Sequence, residues 1–135
     1  MTALALDTSV AVPLLLRRHD AHRAVRAAVR NVVVSMTGHS LAETYSVLTR
    51  LPGDARLEPV DAATLLSSGF GPVLVVDPET AAEVANLLGA LNIAGGAVYD
   101  ALVGLAARAH DATLLTRDSR AAGTYAALGV AFEFV

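Results

Sequence analysis

The chain has no cysteine among its 135 residues. That excludes a disulfide framework, a thiolate-bound zinc and a thiol nucleophile together. Lysine is also missing, so every basic side chain is an arginine. Long apolar runs are missing too: none approaches the roughly 20 residues a membrane-spanning helix needs. The opening Met1-Thr2-Ala3-Leu4-Ala5-Leu6-Asp7 carries no basic segment, and Asp7 interrupts its apolar run, so it does not read as a signal peptide. The expectation is a soluble, cytoplasmic protein with no membrane partner. Positive charge is scarce, with a formal net charge of −3, which lacks the bulk signature of a nucleic-acid binder. Local distribution matters more than the sum, however. Arg17, Arg18, Arg23, Arg26 and Arg30 fall close together. Arginine can grip a phosphate with two donors or stack on a base, and it can equally line a solvated helix face. The histidines His19, His22, His39 and His110 show no zinc-finger spacing and read as surface or capping residues.

What is present suffices for a core. The chain is 54% hydrophobic and 17% charged, and its length fits one domain over residues 1–135. Short apolar runs alternate with helical periodicity. Thr2–Leu6 reads as a buried strand, followed by a helix capped by Thr8 or Ser9 to about Arg17. Asp20 is positioned to cap a second helix to about Arg30. Val32–Val34 reads as a second strand, and a third helix runs to about Leu51, with Leu41, Tyr45 and Leu48 toward the core. Asp61 is expected to cap a further helix, and Val73–Val76 to form a third strand. Asp77-Pro78 starts a helix to about Leu91. Ala97–His110 is helical, Thr113–Thr116 a fourth strand, Ala121 to about Leu128 a last helix, and Val130–Val135 a final strand. Strands separated by helices imply crossover connections. The expected fold is three-layer α/β/α around a mainly parallel central sheet, with ligands bound beyond the carboxyl ends of the strands.

The acids are the informative residues. Asp7 follows the first strand directly, and Asp118 lies two residues past Leu114-Leu115-Thr116. Both therefore belong on the carboxyl edge. Glu43 and Asp100 lie inside helices among small and apolar neighbours, Ser40-Leu41-Ala42-Glu43-Thr44-Tyr45 and Ala97-Val98-Tyr99-Asp100-Ala101-Leu102. A carboxylate in such company is expensive to bury unless paired or metal-bound. Taken singly, each has an ordinary explanation as a cap or an exposed helical residue. One metal site explains all four together. Asp20, Asp61 and Asp77 fit caps, Glu79 and Glu83 a solvated face, and Asp54, Glu58 and Asp111 loops.

Four motifs then resemble those of the PIN-domain nucleases. Ala5-Leu6-Asp7-Thr8-Ser9-Val10 resembles the opening strand motif, and Ser40-Leu41-Ala42-Glu43 the second acidic motif. Tyr99-Asp100-Ala101-Leu102-Val103-Gly104-Leu105-Ala106 resembles the third, and Leu115-Thr116-Arg117-Asp118 the fourth. They occur in order over nearly the whole chain, whose length and layout are similar to the VapC toxins of bacterial toxin–antitoxin pairs. The resemblance implies an endoribonuclease that holds Mg²⁺ or Mn²⁺ on Asp7, Glu43, Asp100 and Asp118. Such hard ions prefer oxygen ligands, and a bound ion activates water for in-line attack on phosphorus with no lysine or histidine base required. Thr8, Ser9 and Thr116 are candidates for supporting hydrogen bonds or simple caps. Arg17, Arg18 and Arg23 are candidates for RNA contact. The resemblance further implies an RNA substrate, a VapB-like antitoxin, a homodimer and a toxin–antitoxin hetero-oligomer. One departure stands out. Where many relatives carry another Asp and a Phe after the fourth motif, this chain reads Ser119-Arg120-Ala121, which implies weaker hold on a second ion. The alternative is a catalytically idle PIN-like domain that binds RNA or protein. A haloacid-dehalogenase or receiver reading fails because Ser9 stands where the former needs a second Asp, and because lysine is lacking. A dinucleotide site fails because no glycine-rich turn follows the first strand.

Overall fold

The structure is a computed structural model that describes residues 3–135. Four short strands form one parallel sheet: β1 (Leu4–Leu6), β2 (Val34–Met36), β3 (Thr113–Thr116) and β4 (Phe132–Phe134), in the order β2-β1-β3-β4. The Thr2 end of the expected first strand lies outside the described residues. Successive side chains of a strand point to opposite faces, and the core divides accordingly. Ala5 and Leu114 enter a cluster with Leu105, Tyr125 and Leu128. Leu6 and Leu115 enter another with Val10, Val25 and Val29. The first face is covered by α6 (Val84–Ala90), α7 (Ala97–Ala109) and α8 (Ser119–Ala127). The second is covered by α1 (Thr8–Leu15) and α2 (His22–Ala28). This is the expected three-layer α/β/α arrangement. At its side, α3 (Gly38–Thr49) and α4 (Pro59–Leu66) bury Leu48, Ala62 and Leu66 between them.

Several boundaries differ from expectation. The second strand is Val34–Met36 rather than Val32–Val34, because Val34 to Met36 pair with Leu4 to Leu6 while Val32 and Val33 stay exposed. Val73–Val76 contributes only a single bridge, Leu74 with Thr37, beside the outer edge of β2. Its Val73 and Val75 face solvent, so the sheet has one strand fewer than expected. The helix after Asp77 is two helices, α5 (Pro78–Ala82) and α6, broken at Glu83. Helix α2 begins at His22, where His19 Nδ1 accepts from the Ala21 amide, and Asp20 does not cap it. Helix α4 begins after Glu58 without a side-chain cap, so Asp61 lies in its first turn. Tyr45 is exposed rather than in the core.

The connections define where chemistry can sit. The chain leaves β1 through α1 to reach β2 on one side, and leaves β3 through α8 to reach β4 on the other. Neighbouring strands whose connections diverge open a crevice at their carboxyl ends. Here that crevice lies between β1 and β3.

Candidate metal centre at the carboxyl edge

Leu6 is in register with both Met36 and Leu115. The residues that follow, Asp7, Thr37 and Thr116, therefore stand side by side at one edge of the sheet. Asp7 is buried and its amide donates to the Leu115 carbonyl, extending the pairing by one residue. It occupies the position before α1, but its side chain does not cap that helix. Both carboxylate oxygens are spoken for instead. Ser9 Oγ donates to Oδ1, and the hydroxyl of Tyr125, a fully buried residue of α8, donates to Oδ2 at 2.9 Å. Burial and the Asp7 charge push the Tyr125 hydroxyl far above the usual tyrosine range, so it stays a donor.

Ser9 and Thr116 belong to one polar chain. Ser9 Oγ accepts from the Arg117 amide at 2.7 Å and lies 3.4 Å from Thr116 Oγ1, which accepts from the Asp118 amide at 3.1 Å. They fix the turn that leads from β3 to Asp118, as well as Asp7 itself. Thr8 makes no side-chain hydrogen bond among the described residues.

Asp118 is the cap of α8: its Oδ1 accepts from the amides of Arg120 and Ala121, at 2.9 and 3.4 Å. The Arg120 guanidinium stands 3.7 Å from the same oxygen. Glu43 is placed by α3. That helix opens on a capping box between Thr37 and Ser40, and the Ser40 hydroxyl donates to the Leu6 carbonyl, one residue before Asp7. One turn on, Glu43 Oε2 accepts from His39 Nε2 at 3.1 Å. Asp100 sits in the first turn of α7, which packs between α3 and α8.

The electrostatics show that these acids converge. Asp100 is held above its ordinary range by burial first, then by the charges of Asp118, Asp7 and Glu43, with Arg120 pulling the other way. Thus all four predicted acids share one field. They do not close on a common point, however. Among the described residues, no group of three or more His, Asp or Glu side chains is arranged to grip a metal ion directly. Both Asp7 oxygens and one Asp118 oxygen are engaged by their own surroundings, and Glu43 is engaged by His39.

The arginines divide. Arg17 and Arg18 lie in the turn after α1, at the end away from Asp7, and Arg23 is on α2. Arg23, Arg26 and Arg30 line a groove floored by Leu14, Val34 and Phe70 that includes none of the four acids. The cations at the acid edge are Arg117 and Arg120, both exposed. Sequence reasoning assigned no role to these two or to Tyr125, and it read His39 as a surface or capping residue. Arg120 was signalled only by its position after the fourth motif. The link from Tyr125 to Asp7 spans 118 positions, so no local pattern marks it. His22 and His110 bond the backbone carbonyls of Pro13 and Val75, as expected for structural histidines.

The fold agrees with comparison to known proteins. The sequence profile of the PIN domain matches residues 4–126. Ribonuclease VapC27 of Mycobacterium tuberculosis is 54% identical over 127 residues, covering 94% of this chain and 93% of the relative. Ribonuclease VapC40 of the same species is 43% identical over 137 residues, covering 98% of each. A solved structure described as VapBC2 from Rickettsia felis, bound to a DNA fragment from their promoter, superposes with a TM-score of 0.67 at 16% identity, covering 98% of each chain. The chain belongs to the PIN-domain family, within its VapC branch.

Proposed function

We propose that this protein is the endoribonuclease toxin of a type II toxin–antitoxin pair, a hydrolase of RNA phosphodiesters that depends on Mg²⁺ or Mn²⁺. The observation that carries the reading is Asp100, whose carboxyl is raised first by burial and then by the charges of Asp118, Asp7 and Glu43, which come from the end of β3, from β1 and from α3. The family supports the activity: relatives covered almost end to end are named ribonucleases. Convergent charge of this kind is costly without a cation.

The donor set fits a hard divalent ion, because all four groups offer oxygen and none offers nitrogen or sulfur. Asp100, Glu43 and Asp118 would hold it through oxygens their neighbours leave free, and Asp7 through the lone pairs that remain on its two hydrogen-bonded oxygens. Such an ion supplies a water of lowered pKa and neutralises charge that develops on phosphate. The chain's own residues do the rest. Tyr125 and Ser9 hold and aim the Asp7 carboxylate. Thr116 and Ser9 fix the turn that carries Asp118. Arg120 and Arg117 bring positive charge to the lip where an RNA phosphate must arrive.

A VapB-like antitoxin is the natural partner, since the structural relative from Rickettsia felis is described as a VapBC assembly. A homodimer, and a hetero-oligomer with the antitoxin, follow from the family reading. The idle-domain alternative gains nothing from these comparisons. The test is RNA cleavage by the purified chain in Mn²⁺, compared with Asp7→Ala and Asp100→Asn. Cleavage by the parent alone is expected, and it should vanish on chelation. Equal cutting by all three, or cutting undiminished by chelator, would overturn the reading.

A further inference from the structure

We propose that the stacked rings of Tyr99 and His39 form a nucleobase platform at the lip of the acid site, and that a single unpaired base seated there sets which RNA phosphate lies over the acids. This rests on the ribonuclease reading above. Tyr99 and His39 lie face to face, with ring centroids 5.3 Å apart and planes inclined by 16°. That is offset stacking of the kind aromatic pairs favour. His39 covers one face of Tyr99, yet the tyrosine remains 56% exposed. That exposure leaves surface away from the histidine for a ligand. The His39 ring is itself pinned by its Nε2 bond to Glu43. A lone surface tyrosine swings between rotamers, whereas this one is backed by a second ring that cannot turn freely. Such preorganisation lowers the entropic cost of receiving a ligand.

The placement points to RNA. Tyr99 immediately precedes Asp100 on α7, and His39 lies one helical turn before Glu43 on α3. Each ring thus rides the same helix as one of the acids, offset by at most one turn, about 5.4 Å. A base on the open face of Tyr99 keeps its own sugar-phosphate over the carboxyl edge, while Arg120, 93% exposed, stands beside Asp118 to receive a phosphate. A ring face accepts any base, with the larger faces of purines held more tightly. A base inside a duplex has no free face to offer, so the platform selects single-stranded or looped RNA.

The experiment uses the full chain with Asp7→Asn to block cleavage, and a fluorescent, unstructured, adenine-rich RNA of twelve nucleotides as probe. Adding Tyr99→Ala or Tyr99→Leu should weaken binding about 5- to 150-fold, the equivalent of one base stack. Tyr99→Phe should bind within about twofold of the parent, because stacking needs the ring rather than the hydroxyl. A single abasic residue walked along the probe should cost the parent a similar factor at one position and cost the Tyr99→Leu chain nothing there. A structural role alone would not produce that matched loss. If Tyr99→Ala and Tyr99→Leu bind as tightly as the parent, or keep its abasic penalty, the platform is wrong. Should the chain with Asp7 intact still cut RNA in that case, the ribonuclease reading survives. Should that chain neither bind nor cut any RNA in Mn²⁺, the ribonuclease reading falls, and the platform with it.

Discussion

At the residue scale, the feature that matters most is the way Asp7 is held. A buried carboxylate is stable only when its lone pairs are met, and here two hydroxyls meet them. Tyr125→Phe removes one donor and changes nothing else in shape. A hydrogen bond to a charged group is worth about 1.5–3 kcal/mol, and loss of a group that orients a metal ligand costs about 10- to 100-fold in activity or metal affinity. The variant should therefore melt earlier, and its cleavage rate at saturating Mn²⁺ should fall by a factor in that range. An unchanged metal titration would show that Asp7 aims itself. Asp100 offers the complementary test. Its folded-state affinity for a proton exceeds that of the unfolded chain, whose reference value is 3.8. The stability this confers is complete below that value and is lost as pH rises through the higher folded one. The metal-free protein should accordingly lose melting temperature as pH climbs from that acid range toward neutrality. Asp100→Asn should flatten the loss, be the more stable chain near neutral pH, and cut no RNA. A melting profile with the same slope in both would remove Asp100 from the charged cluster. How far these roles were legible varies with distance along the chain. Asp7 and Asp118 declared themselves by ending apolar runs, and Glu43 and Asp100 by standing among small and apolar neighbours. Tyr125 gave no such sign, since an aromatic on an amphipathic helix is ordinarily core, and its hydroxyl finds its partner only once the sheet has assembled.

At the scale of elements, periodicity located most helices but could not choose registers. The run Val32-Val33-Val34 offers three equally β-prone residues, and which of them pairs depends on β1. The choice falls where Thr37 can cap α3 and where Ser40, one turn before Glu43, can donate to the Leu6 carbonyl. Val73–Val76 has the composition of a strand, yet it lies outside β2, where only Leu74 finds a pairing partner. The break at Glu83 has no proline or glycine to announce it. Gly104 shows how tightly the site-bearing helices meet. A methyl group there would come within 3.1 Å of Leu128 Cδ1 and 3.2 Å of Tyr125 Cδ1. Alanine favours a helix by roughly 1 kcal/mol over glycine, but overpacking a filled core costs about 1–3 kcal/mol. Both neighbours are buried, so crowding should win. Gly104→Ala is expected to lower the melting temperature and, by shifting the Tyr125 ring, to lower cleavage as well. A more stable, fully active variant would show that α8 can yield without disturbing Asp7.

At the scale of the whole molecule, the ribonuclease reading asks an acidic protein to approach a polyanion, and the arginines are the groups on which that can be tested. They form two groups with different expected effects. Replacing Arg17, Arg18 and Arg23 by alanine should weaken RNA binding and flatten its dependence on salt, by about 0.7 in the logarithmic slope for each phosphate no longer neutralised. The rate at saturating RNA should not change, because Arg17 and Arg18 follow the end of α1 away from Asp7 and Arg23 lies on α2 in a groove that includes none of the four acids. Arg120→Ala should lower that rate too, since its guanidinium faces the acids. Slopes unchanged in the triple variant would return that cluster to a merely solvated surface.

The order of the strands has one more consequence. β3 lies between β1 and β4, although it is formed from residues 113–116. While the chain is still emerging from the ribosome, β1 has only β2 beside it, and neither Asp118 nor the hydroxyl that steadies Asp7 has yet been made. A protein product cut short anywhere before the last helix therefore lacks the group that steadies Asp7, and on the ribonuclease reading it should cleave no RNA.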